Sequence, residues 1–127
     1  MTDLVEKELS YTIIGALFNV YNHLGGGYQE KYYQKAVAQE LRNHNLQFVE
    51  QVAIPLSYKG EPIGRHFLDF LVNDRIVLEI KAAGQFYPRD VKQVLAYLKA
   101  TQKPLAILSN FSRFGLQLKR VLRGSTS

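Results

Sequence analysis

Two acidic residues and one lysine interrupt a stretch of sequence that is otherwise apolar. Asp69 lies within FLDFLV, and Glu79 and Lys81 lie ten and twelve residues further along, within IVLEIKAA. Charges in an apolar setting are costly without partners, so these three indicate either a salt-bridged cluster or a chemical site. Carboxylate oxygens are the ligands that Mg²⁺ and Mn²⁺ prefer, and an ammonium group beside them can stabilise a phosphate. The residue types therefore favour metal-assisted chemistry on an anionic substrate.

Strand register decides whether the three side chains meet. Side chains alternate across a strand, so Glu79 and Lys81 share one face. A two-residue turn between the strands places Asp69 opposite Leu78, whereas a three-residue loop over residues 73–75 places it opposite Glu79. Both loop lengths are common in hairpins. In the second register two carboxylates about 5 Å apart repel each other unless a cation lies between them or one of them is protonated.

Strict alternation along the earlier strand makes a further prediction. Leu68, Phe70 and Val72 are expected to share one face, with Asp69 on the other. His66 then lies on the face opposite Asp69, so we do not expect this histidine to bind a metal.

The rest of the chain must supply the elements that position this group. Apolar residues recur at helical spacing over residues 3–24, 28–44 and 89–101, with Thr2 and Pro88 as N-terminal signals and glycines between the first two helices. Alternating or continuous apolar runs predict strands over residues 48–58, 64–72, 76–82, 103–110 and 115–120. This order predicts an α/β fold in one domain over residues 1–127, with a mixed central sheet flanked by helices.

Composition and charge narrow the class of function. The 127 residues include no cysteine, which excludes disulfides, a thiol nucleophile and a thiolate metal site. Sixteen lysines and arginines against eleven acidic residues give a net charge of +5, which biases the surface toward polyanions. The first residues are acidic where a secretory signal is basic, and no apolar run approaches the length of a membrane span. We therefore expect a cytoplasmic protein that does not contact the membrane.

Three motifs resemble those of a known superfamily. The spacing of Asp69, Glu79 and Lys81, followed by a helix, resembles the signature of the PD-(D/E)XK nucleases, with LD in place of PD. The segment GYQEKYY, residues 27–33, is similar to the G-x-x-E-x-x-Y motif of the GxxExxY proteins, a family within that superfamily. The segment QVLAY, residues 93–97, is similar to the Q-x-x-x-Y helix that follows the E-x-K strand.

The resemblance implies a restriction-endonuclease-like αβββαβ core and a metal-dependent nuclease that acts on nucleic acid, with DNA favoured over RNA. The catalytic residues that it implies are Glu30, Asp69, Glu79, Lys81 and Gln93. The ligands that it implies for Mg²⁺ or Mn²⁺ are Asp69, Glu79, the carbonyl of Ile80, and Glu30. Lys81 would orient or activate the attacking water, and Gln93 would position phosphate or water. Basic residues that could follow the phosphates of a bound strand include Lys31, Arg65, Lys92, Lys99 and Lys103.

Other interpretations stay open. The central trio could be a salt-bridged cluster at the margin of the sheet, and Glu30 could be a solvated carboxylate favoured by the helix dipole. The fold could also serve as a catalytically inactive module that binds nucleic acid or a protein partner, because fold does not fix function. A homodimer is compatible with the sequence. A small-molecule enzyme lacks support, since the chain has no nucleotide-binding glycine fingerprint.

Overall fold

A computed structural model describes residues 5–124 of the chain. The elements are, in order, α1 (Lys7–Leu24), α2 (Glu30–Asn43), β1 (Phe48–Tyr58), β2 (Glu61–Val72), β3 (Ile76–Lys81), α3 (Pro88–Thr101), β4 (Leu105–Ser112) and β5 (Gly115–Leu122). The strands form one sheet in the order β1-β2-β3-β4-β5. Strands β3 and β4 pair in parallel through the α3 crossover, and the other neighbours pair antiparallel. The predicted α/β fold with a mixed, helix-flanked sheet is confirmed.

The first helix begins later than the sequence predicted. Residues Thr2 and Asp3, the predicted cap and start, lie outside the described residues, and the helix begins at Lys7. Glu6 has a φ of 53°, which ends the helical geometry on that side. At the other end Gly25, with a φ of 68°, stops the helix where the glycines begin. The remaining boundaries differ from those predicted by three residues or fewer.

The glycine turn between α1 and α2 is tightly packed and hydrogen-bonded. A Cβ atom at Gly26 would lie 2.5 Å from the carbonyl oxygen of Ser112, so only glycine fits against the β4–β5 turn. The hydroxyl of Tyr33, from α2, donates to the carbonyl of Gly25 at 2.6 Å and accepts from the N–H of Tyr28 at 3.2 Å. These contacts fix the turn that leads into the first residue of α2.

The core has one layer on each face of the sheet. Helices α1 and α2 cover one face, and α3 covers the other. The first layer includes Ile13, Leu17, Val37, Leu41, Phe70, Leu78, Ile80 and Ile107. The second includes Ile54, Leu68, Val77, Val94, Tyr97, Leu98 and Leu108. Strand β3 therefore alternates between the two layers as predicted.

Strand β2 departs from strict alternation, so that part of the prediction was wrong. Leu68 packs in the α3 layer, whereas Phe70 and Val72 pack in the layer of α1 and α2. Residues two apart can face opposite sides only where the strand is irregular, and the change falls at Asp69. The β1 residue beside it, Gln51, has a φ of 52°, which is the irregularity on the partner strand.

On the N-terminal side of Asp69, β2 pairs with β1 alone, and residues 53–67 form a two-stranded ribbon. Strand β2 begins three residues earlier than predicted. Helix α3 covers one face of this ribbon, where Ile54 is buried and the ring of His66 lies 6.3 Å from that of Tyr97. The opposite face is exposed. Within residues 5–124 no helix is both long and apolar enough to cross a membrane. The cytoplasmic location stays a prediction.

Candidate functional site

The site forms where β2 and β3 separate. Regular pairing ends at Phe70 opposite Leu78, which is the register of the three-residue loop. One residue further, the N–H of Asp69 donates to a carboxylate oxygen of Glu79 at 2.6 Å. The N–H of Ile80 donates to the carboxylate of Asp69 at 2.8 Å. Side-chain carboxylates thus replace backbone carbonyls as the acceptors of these two N–H groups. We call the group formed by Asp69, Glu79 and Ile80 the fork.

Burial makes the two carboxyl groups of the fork difficult to ionise together. Asp69 is 7% exposed and Glu79 is 3% exposed. Burial, together with the negative charge of Asp69, raises the pKa of Glu79 to about 8. Burial also raises the pKa of Asp69, an effect that the Ile80 N–H and the Lys81 ammonium partly offset. The fork therefore favours a cation whenever both groups are charged.

Helix α2 brings a third carboxylate to the fork. Glu30 is the first residue of α2, and Gln34 follows it by one helical turn. The side-chain amide of Gln34 donates to Glu30 and to Asp69, each at 3.1 Å. Burial of its carboxyl group and the negative charge of Asp69 raise the pKa of Glu30, although the residue as a whole is exposed. The side chain of Gln34 thus links the acid on the helix to the acid on the strand.

Helix α3 approaches the fork from the other side. Asp90 accepts a hydrogen bond from the N–H of Tyr87 at 2.9 Å and so caps the start of the helix. Gln93, one turn later, accepts a hydrogen bond from the ammonium of Lys81 at 3.2 Å. Tyr97, a further turn along, is buried, and its pKa is raised by burial and by the charges of Glu79 and Asp69. One face of α3 therefore borders the acidic site.

Two polar residues of β4 hold the end of β3 in place. The buried side chain of Asn110 accepts from the N–H of Ala83 at 2.8 Å and donates to its carbonyl at 3.0 Å. The hydroxyl of Ser109 donates to the carbonyl of Glu79 at 2.8 Å. These bonds fix the backbone on both sides of Lys81.

The fold places the sequence-predicted side chains around one point. Glu30, Asp69, Glu79, Lys81 and Gln93 are connected by hydrogen bonds or by direct electrostatic effects. Sequence reasoning missed Gln34, Asn110 and Gln51, whose side chain hydrogen-bonds Asp69 and opposes the rise in the pKa of that carboxyl group. Of these, only Gln34 carried a signal, because it lies four residues after Glu30 on the same helical face.

The donor set of the fork suits a hard divalent cation. Mg²⁺ is commonly held by one or two carboxylates, and water and substrate phosphate complete its coordination. Asp69 and Glu79 supply two carboxylates, and the carbonyl of Ile80 is the further oxygen that the sequence predicts. Within residues 5–124 no three acidic or histidine side chains converge into a ready-made metal cage. Direct coordination by Glu30 therefore stays a prediction, as does the role of the Ile80 carbonyl.

Comparison with known proteins identifies related folds. The family model of the PD-(D/E)XK nuclease superfamily matches residues 7–121. The crystal structure of SSO0001 is similar, with 13% identity and a TM-score of 0.51 over 94% of this chain and 79% of that one. An alkaline exonuclease from Laribacter hongkongensis, LHK-Exo, has 15% identity and a TM-score of 0.53 over 97% of this chain and 72% of its own. Identities this low show a shared fold alone. No curated protein matches this sequence, and the narrower GxxExxY assignment stays a prediction.

Proposed function

From the premise that this chain belongs to the PD-(D/E)XK nuclease superfamily, we propose that it is a metal-dependent nuclease that hydrolyses phosphodiester bonds of DNA. The single observation that carries this proposal is the fork. There two buried carboxylates accept hydrogen bonds from backbone N–H groups at the point where the pairing of β2 with β3 ends. A buried pair of acids with raised pKa values is a costly arrangement for a purely structural role. A net charge of +5 supports a polyanionic substrate.

In this proposal Asp69, Glu79 and the carbonyl of Ile80 hold Mg²⁺ or Mn²⁺. A cation held there would lower the pKa of a water molecule and neutralise charge that develops on the phosphate. Because the pKa of Glu79 is about 8, loading the site near neutral pH releases a proton from this carboxyl group. Glu30, held by Gln34, accepts a hydrogen bond from the attacking water.

Lys81 and Gln93 act on the phosphate. The ammonium of Lys81 lies beside the acids and offsets negative charge on the phosphoryl oxygens as the reaction proceeds. Gln93 accepts a hydrogen bond from Lys81 through its side-chain oxygen, which holds the ammonium in place. The amide nitrogen of Gln93 can then donate to a phosphate oxygen or to water.

A cleavage assay with matched aspartate variants tests the proposal. Labelled single-stranded and duplex DNA, with RNA for comparison, is incubated with increasing Mg²⁺ or Mn²⁺. We expect cleavage by the wild type, and a loss of at least about a hundredfold in Asp69→Asn because ligand removal weakens charge stabilisation. The control Asp74→Asn alters an exposed side chain at the β2–β3 turn, which pairs with Lys103 at 3.1 Å, and should retain activity.

Thermal stability gives an independent measurement. A cation that binds only the folded state stabilises it by about 2.7 kcal/mol at a hundred times its dissociation constant. We expect this gain in the wild type and in Asp74→Asn, and its absence in Asp69→Asn. Nucleic-acid binding with neither cleavage nor a metal response would instead assign the chain as an inactive binding module.

A further inference from the structure

The exposed face of the ribbon carries an aromatic ring close to the fork. Phe67 is 46% exposed and lies two residues before Asp69 on β2. Its cross-strand partner is Ala53, whose small side chain leaves the ring uncovered. The guanidinium of Arg65 lies 5.5 Å from the centroid of the ring. Exposed rings beside cationic groups are the means by which many proteins stack unpaired bases.

Helix α2 presents lysines along the same side of the site. Lys31, Lys35 and Arg42 recur at spacings of four and seven residues, so they lie along one side of the helix. Arg42 lies over the ring of Phe48, at the start of β1, at 5.7 Å. This side of α2 therefore faces β1. Lys31 and Lys35 are both exposed, and they lie at the level of the fork because Gln34 reaches it.

We propose that the surface between these lysines and the exposed face of the ribbon, which we call the groove, holds an unpaired strand of nucleic acid that leads into the fork. Phe67 stacks on the base next to the scissile phosphate, while Arg65, Lys31 and Lys35 contact the phosphates that flank it. Two residues of a strand span about 7 Å, so the backbone of Phe67 lies about that far from Asp69, whose carboxylate reaches Gln34 of α2. This inference rests on the proposed nuclease function and names its substrate class as single-stranded nucleic acid.

The chemistry of the groove distinguishes an unpaired strand from a duplex. Bases within a duplex stack on one another, so a protein ring can stack only on a base that is unpaired or displaced. Stacking on a phenylalanine ring does not depend on the identity of the base. We therefore expect the groove to bind single strands with little preference for sequence.

Binding measured in EDTA tests the groove without any cleavage. Fluorescence anisotropy compares a labelled single strand with the duplex of the same sequence. We expect the wild type to bind the single strand more tightly, Phe67→Ala to bind it about tenfold more weakly, and Phe67→Tyr to retain binding. The control is Tyr11→Ala, which removes an aromatic ring that is 81% exposed near the start of α1. This variant should bind as the wild type does.

Salt dependence tests the charged side of the groove. Arg65→Gln should lower the slope of log affinity against log salt by about 0.7, the value for one phosphate contact on a single strand. Lys7→Gln, an exposed change at the start of α1, should leave the slope unchanged. An unchanged slope in Arg65→Gln would show that this residue does not contact phosphate and would overturn the proposed strand path.

The outcomes separate this inference from the nuclease proposal. Equal affinity for single strand and duplex, or full affinity in Phe67→Ala, would refute the groove even if Asp69-dependent cleavage is observed. Binding that depends on Phe67, without cleavage under any metal, would support the groove and refute the nuclease. Unaltered melting temperatures of the variants confirm that each comparison is between folded proteins.

Discussion

Replacing Glu79 by glutamine should remove the loss of stability that the buried negative charge of Glu79 causes at high pH. The variant removes a buried acid but keeps an oxygen that can accept the hydrogen bond from the N–H of Asp69. Burial and the charge of Asp69 raise the pKa of Glu79 from 4.5 to about 8, so the folded protein binds this proton more tightly than the unfolded chain does. Wild-type stability should therefore fall as the pH rises from 4.5 to about 8. The glutamine variant has no such group to ionise.

The pKa shift of Glu79 sets the size of the effect. One pKa unit corresponds to about 1.4 kcal/mol, which gives a ceiling of about 5 kcal/mol. Local relaxation and entry of water reduce the cost of a buried charge, so we expect Glu79→Gln to exceed the wild type by about 2 kcal/mol at about pH 9. At about pH 5 the wild-type carboxyl is protonated, and the two proteins should be nearly equal in stability.

Urea unfolding in EDTA across this pH range measures the difference in the free energy of unfolding. Glu61→Gln is the matched control, because Glu61 is exposed at the start of β2 and its removal should leave the profile unchanged. Saturating Mg²⁺ should flatten the wild-type profile and leave that of Glu79→Gln unaltered. A difference between Glu79→Gln and the wild type that stays constant from about pH 5 to about pH 9 would refute this description of the fork.

Two further predictions concern the glycine turn before α2 and the hydrogen bond from Gln34 of α2 to Asp69. Gly26→Ala should lower the free energy of unfolding by about 1–3 kcal/mol, because its Cβ would lie 2.5 Å from the Ser112 carbonyl. The control is Gly15→Ala, a helical site with no atom within 4 Å of the new Cβ, which should raise the free energy of unfolding by up to about 1 kcal/mol. Equal effects of the two changes in urea unfolding would contradict the close packing of Gly26. Gln34→Ala should lower cleavage about tenfold with little loss of stability, because its bond to Asp69 orients the site. Wild-type rates in that variant would show that this hydrogen bond is dispensable.

Much of the fold followed from the periodicity of apolar residues. Helical spacing located α2 and α3 to within about two residues, and alternation located β3, because each of these elements buries one regular face. The start of β2 was placed three residues late, because the first residues of this strand are all exposed and leave no apolar pattern.

The register of the site could not be fixed from the sequence. Asn73 and Asp74 both adopt positive φ values, of 51° and 56°, and their residue types are compatible with a two-residue or a three-residue connection. The structure pairs Val72 with Ile76, which is the three-residue alternative. Local sequence left two registers, and packing of both faces of the sheet selects one.

The irregularity at Asp69 was also beyond the sequence pattern. Alternation holds for a regular strand, whereas the ladder between β2 and β3 ends here and the N–H groups of Asp69 and Ile80 donate to side-chain carboxylates. The polar residues that support the site, such as Asn110, lie far from it in sequence and follow no repeating pattern. Such contacts depend on tertiary structure, so only the motif residues themselves could be predicted.

Anomalous diffraction from a crystal soaked in Mn²⁺ tests the central claim most directly. A divalent cation at the fork requires a peak bounded by the carboxylates of Asp69 and Glu79, at about 2.0–2.2 Å from its oxygen ligands. The same soak of Asp69→Asn should lose the peak. A wild-type crystal with no peak at the fork, or with its only ordered Mn²⁺ elsewhere, would contradict the account.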